Sequence, residues 1–173
     1  DSGQQRWKDV DVRAEMAKDS RVLYEFDLPH SPLTSLPSSW LTQAPELRHY
    51  DGLMWYQRTF AAPAVRKGRY FLRFGAANYA TIVYLNGKPV GKHEGGFTPF
   101  AFDVTGLLRD GQNQVTVGVD SQATEATVPP PVTDWENYGG ITRPVRLIQT
   151  PDTYVDDAWI RLTRDGKMAV DVH

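Results

Sequence analysis

The stretch TIVYLNGKPVGKH, Thr81 to His93, places two β-rich arms on either side of one dipeptide, Asn86-Gly87. Both central residues of a type I′ turn need positive φ, and Asn-Gly meets that demand at low cost. The residues of TIVYL suit a pleated, half-buried surface. The reading is a two-residue β-hairpin, TIVYL pairing with KPVGKH, and therefore an antiparallel sheet.

The same grammar extends in both directions. Upstream, RVLYEFD (Arg21 to Asp27) alternates like a strand and is closed by Pro29 and Pro32. His30 to Leu53 is rich in Pro and Ser and reads as loop, with one helical turn near SSWLTQ. LMWYQRTFAA and GRYFLRFG follow as strands. Downstream, TPFAFDV and NQVTVGVDS are strands. DVTGLLRDG between them reads as one helical turn, capped by Asp103 or Thr105 and ended by Gly111. ATEATVPPP is an irregular loop stiffened by Pro129, Pro130 and Pro131, and ITRPVRLIQT is the next strand. Short strands separated by turns predict an all-β fold, a sandwich of two antiparallel sheets. Trp55, Tyr56, Phe60, Phe97, Phe100 and Phe102 are expected as its core aromatics.

TYVDDAWIRLTRDGKMAVDVH reads as a separate hairpin turning at Asp165-Gly166. A lone two-stranded hairpin is marginal in water. The expectation is a sandwich over residues 1–150, with residues 151–173 as the truncated opening of a following domain.

Composition narrows the function. A chain of 173 residues supports one domain with a real core and the start of another. A formal net charge of -2 gives none of the basic field that a nucleic-acid binder uses to release counterions. No apolar run approaches bilayer length, so no membrane span is expected. With no cysteine, disulfides, thiolate catalysis and Cys-ligated zinc are excluded. The first residues, DSGQQRWKDV, are polar and show no signal peptide. A mature product with its signal removed fits them, and a periplasmic or secreted home is the expectation over a cytoplasmic one. Unpaired strand edges leave room for a homo-oligomer formed by strand exchange.

His30, His49, His93 and His173 are scattered, without metal-ligand spacing. HEGGF is no phosphate loop, since no Lys-Ser/Thr follows it. Asp134 and Glu136 would share a face at about 6.5–7 Å on an extended chain. Two neighbours on one loop do not flank a scissile bond from opposite sides, so they form no catalytic pair.

The loop opening TDWENYGGITRPVRL (Thr133 to Leu147) is different. Asp134, Trp135, Asn137 and Tyr138 bring together an acceptor, a stacking face, an amide and a phenol. These groups grip a sugar through its hydroxyls and its C–H face. The plainer reading is a packed loop with Asp134 capping a turn and Gly139-Gly140 supplying positive φ. Residue types alone leave both open.

WYQRTF, YATIVYLNGKPVGKHEGGFTPFAFDVTGLL, NQVTVGVDS and DWENYGGITRPVRL occur in that order. Together, over about residues 20–150, they resemble the N-terminal sugar-binding domain of glycoside hydrolase family 2, the family of β-glucuronidases, β-galactosidases and β-mannosidases. HEGGFTPF and NYGGITR at their separation carry most of that resemblance. It implies a jelly-roll-like, galactose-binding-domain-like sandwich, followed from TPDTYVDD by an immunoglobulin-like domain. It also implies a catalytic (β/α)₈ barrel further on, with two Glu residues working by a retaining mechanism. That barrel is absent here, so no catalytic residue is expected and the chain alone should be inactive. The partners implied are a β-linked carbohydrate and the remaining domains of the parent enzyme.

The resemblance also implies one site role. In glucuronidase-like and galactosidase-like members, an Asp in the matching loop reaches into the barrel's active site and contacts the terminal sugar. Here that residue is Asp134, expected as a buried acceptor fixed by neighbouring backbone amides. Trp135, Asn137 and Tyr138 would shape the loop around it. No cofactor is expected. A sodium ion at Asp134 belongs only to the galactosidase branch, and the chain lacks the Asn-bearing loop that large galactosidases carry before MWYQRTF. This leans the reading toward the glucuronidase-like or broader galactosidase branch. A stand-alone carbohydrate-binding module and a purely structural domain are the alternatives.

Overall fold

Alternation along the strands dictates the architecture seen in a computed structural model, which describes residues 31–62 and 67–173. The strand expected over Arg21–Asp27 lies outside the described residues. A short helix, α1 (Trp40–Gln43), precedes nine strands among the described residues. These are β1 (Leu53–Ala62), β2 (Arg69–Phe74), β3 (Ala80–Leu85), β4 (Lys88–Glu94), β5 (Phe100–Asp103), β6 (Gly111–Asp120), β7 (Val145–Thr150), β8 (Ala158–Leu162) and β9 (Met168–Val172). Among the described residues, one sheet has the order β1-β6-β3-β4 and the other β5-β2-β7, β8 and β9 pair with each other, and the ladders are antiparallel.

The β3–β4 turn is the one expected, with Asn86 at φ 54° and Gly87 at φ 73°. The register slips between Val83 and Tyr84, a local irregularity in the ladder. Gly91 of β4 lies against the Phe102 ring, where a Cβ would come within 2.4 Å. A glycine there lets the two sheets approach.

Strand period two sorts the residues. Tyr70, Leu72 and Phe74 of β2 meet Val83 and Leu85 of β3, Val117 and Val119 of β6, and Trp40, Val104 and Ile141 from the connections. Phe100 stacks on Phe74 at 4.8 Å and lies edge-on to Phe102 at 5.7 Å. Tyr56, Phe60, Phe100 and Phe102 pack against this core, as expected. Trp55 points the other way and joins Leu53, Ala80, Ile82 and Tyr84 in a second cluster. β3 is thus buried on both faces.

Three expectations need correction. Phe97 is 57% exposed, because it sits on the turn after Gly95-Gly96 and not on a strand face. DVTGLLRDG forms a single turn closed by Leu107 and Leu108 amides on the Val104 carbonyl. Asp103 caps it by accepting from the Thr105 amide at 2.9 Å and hydroxyl at 2.6 Å, while Gly111 (φ 74°) already opens β6. The strand ITRPVRLIQT begins only at Val145. Pro144 has no N–H to give a ladder, and the chain before it turns aside, where the Arg143 amide donates to the Ala76 carbonyl.

The β8–β9 hairpin forms as expected, with Gly166 at φ 78° in its turn. Its register sets Ala158, Ile160 and Leu162 opposite Val172, Val170 and Met168, one apolar and largely exposed face. Tyr154 before it lies edge-on to Phe71 at 5.4 Å.

Candidate functional site

The loop 133–140 is held from behind by α1. Trp40 is fully buried, and its amide donates to the Gly139 carbonyl at 3.1 Å. The Ser38 amide donates to the Ile141 carbonyl at 3.0 Å. Gly139 lies flat on the Trp40 indole, where a Cβ would stand 2.1 Å from the ring and 2.6 Å from Ser121 Cβ. Only Gly140 of the pair takes positive φ, at 123°. The two glycines therefore have separate causes: close approach at Gly139 and backbone conformation at Gly140.

Trp40 is fixed in turn. Its Nε1 donates to the Tyr56 hydroxyl at 2.5 Å, and Tyr50 packs edge-on to it at 5.4 Å. Burial pushes the Tyr56 phenol above its ordinary pKa, against the hydrogen bonds from Gln43 and Trp40. This hydroxyl stays neutral across the physiological range.

From the other side the loop is held by Asn78, a residue that sequence reasoning passed over. Its Nδ2 donates to Asn137 Oδ1 at 2.8 Å and to the Tyr138 carbonyl at 2.9 Å. Its backbone exchanges two hydrogen bonds with Gly140, at 2.9 and 3.2 Å. Asn78 is 2% exposed. The signal available in sequence was an amide amid small residues in GAANYA, where Ala76 and Ala77 are buried without remainder. Arg143 adds a second link, its Nη1 donating to the Phe97 carbonyl at 3.3 Å. The stretches HEGGFTPF and NYGGITR, far apart in sequence, thus meet in space.

The front of the loop is open. Trp135 and Tyr138 are 61% and 47% exposed. With Asn137 they line one wall of a cleft of about 350 Å³ whose other walls include Tyr50, Asp51 and Ser121. Ser121 orders that side: its hydroxyl donates to Asp51 Oδ1 at 2.9 Å and accepts from the Gly52 amide at 3.1 Å.

Asp134 stands apart from its expected companions. It does not line the cleft, and its side chain is exposed. The expectation of a buried acceptor fixed by backbone amides does not hold: among the described residues none donates to its carboxylate. The cause is position. The staples begin at Asn137, while nearer Asp134 the bond seen among the described residues is the Thr133 hydroxyl donating to the Trp135 carbonyl at 2.8 Å. The arrangement is a rigid base with a charged, unengaged tip.

A sequence model described as "Glycosyl hydrolases family 2, sugar binding domain" matches residues 3–151. The β-glucuronidase of Felis catus is 31% identical over 185 residues, which is 86% of this chain and 28% of that protein. The solved structure of an uncultured Clostridium sp. β-glucuronidase superposes with TM-score 0.72 at 35% identity, covering 87% of this chain and 30% of that one. The Ruminococcus gnavus β-glucuronidase in complex with D-glucuronic acid gives TM-score 0.78 at 28% identity over 93% of this chain and 32% of that one. This chain thus spans less than a third of the length of these relatives.

Proposed function

We propose, from the premise that this chain belongs to the sugar-binding domains of the family 2 glycosyl hydrolases, that it is the non-catalytic domain of a β-glucuronidase-like retaining exo-glycosidase. In this reading it packs beside a catalytic domain that the chain does not contain and lends Asp134 to the sugar pocket there. The observation that carries the reading is the loop's division of labour. A carboxylate with no partner among the described residues projects from a base stapled by α1 and Asn78. An ionised carboxylate is an acceptor only, with room for two sugar hydroxyls. Each such charged hydrogen bond contributes about 1.5–3 kcal/mol.

Trp135, Asn137 and Tyr138 take supporting parts. Asn137 is engaged by Asn78, so its work is to shape the loop. The substrate class proposed is a β-glucuronide, supported by the names of the relatives. We read residues 151–173 as the opening of an immunoglobulin-like domain, a reading supported by the apolar face that Ile160, Leu162, Met168 and Val170 leave exposed.

The test is kinetic. In the enzyme that carries this domain, Asp134→Ala should lower kcat/KM by about tenfold or more with folding intact. The 173-residue chain alone should not turn over a chromogenic β-glucuronide. Unchanged kinetics in the variant would leave the domain a purely structural role.

One observation favours a second reading, a self-sufficient carbohydrate-binding module. Trp135 and Tyr138 face solvent across an open cleft. Oligosaccharide titration of the isolated chain that shows millimolar or tighter binding, abolished by Trp135→Ala, would select it.

A further inference from the structure

Asn78 makes contacts that a space-filling residue would not need. The Tyr138 carbonyl can only accept, so the side-chain nitrogen of Asn78 must face the loop. The oxygen then faces Gly96, where a Cβ would lie 2.2 Å from Oδ1 and 2.8 Å from Cγ. That Oδ1 is buried, and among the described residues nothing donates to it. A buried amide oxygen left without a donor is costly. What the amide supplies in return is its pair of N–H bonds, to Asn137 and Tyr138.

We propose that Asn78 is the positioning residue of the 134–140 loop, and that Gly96 holds it there by leaving room for its amide. The HEGGF and NYGGI stretches then act as one device: what happens at Gly96 is felt at Asp134 through Asn78. The consequence for a sugar rests on the reading of Asp134 given above, while the clasp itself does not. The Cβ that Gly96 lacks marks the coupling. A methyl at that position displaces the amide and frees the loop without touching it.

Amide hydrogen exchange on the 173-residue chain tests the clasp. The reporters are the Gly140 amide, bonded to the Asn78 carbonyl, and the Trp40 amide, bonded to the Gly139 carbonyl. Asn78→Ala and Gly96→Ala should each speed exchange at both by about tenfold or more, with a smaller change at Val117 in the β6 ladder. The double variant should exchange no faster than Asn78→Ala, because the methyl of Gly96→Ala then has no amide to displace. Unchanged reporters in Asn78→Ala, or single effects that simply add, overturn the proposal.

Asn78→Asp separates positioning from filling, and serves if Asn78→Ala fails to fold. The new carboxyl matches the amide in shape but faces two oxygens, so its pKa is raised. Protonated, it donates one bond, so loop protection is present at low pH and lost as pH rises through that titration. A residue that only fills space gives the same protection, taken relative to the intrinsic exchange rate, at every pH, and that result contradicts the clasp.

In the enzyme carrying this domain, Asn78→Ala should lower kcat/KM, and adding it to Asp134→Ala should cost little more. A loss in Asp134→Ala with neither exchange nor kinetics moved by Asn78→Ala sinks the clasp alone. Faster exchange in Asn78→Ala with unchanged kinetics in both variants upholds the clasp and sinks the reading of Asp134.

Discussion

The β3–β4 hairpin and the 133–140 loop are built by opposite means. The hairpin is written in neighbouring residues: Asn86-Gly87 turns the chain, and alternation on each arm chooses its faces. The loop is written in residues far away. Trp40, Asn78 and Ser121 hold it from positions distant in sequence. The turn's backbone angles are thus set by its own two residues, whereas the place of the loop is set at a distance. That difference suits a site, since a loop stapled at its base can hold one side chain forward without burying it.

Trp40→Ala should strike the loop hardest. It removes a fully buried indole and the floor beneath Gly139, at about 3–5 kcal/mol in denaturant unfolding. Gly139→Ala should follow, at about 1–3 kcal/mol, because the added methyl meets the indole and Ser121 with no room to yield. If Gly139→Ala proved neutral, the loop would be less tightly seated on Trp40 than the contrast requires.

On the hairpin side, Asn86→Ala should cost about 2–3 kcal/mol and Gly87→Ala only about 1 kcal/mol. Asn86 adds side-chain bonds to its turn role. Its Nδ2 donates to the Leu107 carbonyl at 2.9 Å and to Asn113 Oδ1 at 2.8 Å, and its Oδ1 accepts from the Gln114 amide at 3.0 Å. Equal costs for the two variants would reduce Asn86 to its backbone angle. Phe97→Ala should change stability by under about 0.5 kcal/mol, since the ring is exposed.

The smallest expected effect is acidic. The Thr105 hydroxyl and amide, with Arg69 beyond them, hold the Asp103 carboxyl down at about 2. A depressed carboxylate stabilises the fold above its unfolded value and loses that contribution as pH falls through the folded one. The melting temperature should therefore fall slightly more between pH 4 and pH 2 in the parent chain than in Asp103→Asn. The carboxylate is largely solvent-facing, which keeps the difference small.

The strands and the sandwich were legible because period-two alternation and turn dipeptides are local signals. β1 and the β8–β9 turn lie where those signals place them. The misjudged stretches differ in cause: Phe97 lies on the turn after Gly95-Gly96 and so leaves the strand face, whereas Ile141–Pro144 take their places from contacts across the fold. The site was legible only as a list of residue types. Sequence grouped Asp134, Trp135, Asn137 and Tyr138 together, whereas the fold turns three toward the cleft and leaves Asp134 outside it. Asn78 stayed hidden because a single buried amide leaves no period or motif of its own. The role proposed for Asp134 rests on the family resemblance, and residue chemistry alone did not suggest it.

The most direct measurement is kcat/KM for a β-glucuronide in the enzyme bearing this domain, wild type against Asp134→Asn, with the melting temperature recorded alongside. The substitution keeps shape and removes charge. The account predicts a loss of about tenfold or more with an unchanged melting temperature. Equal kcat/KM in the two proteins would contradict it.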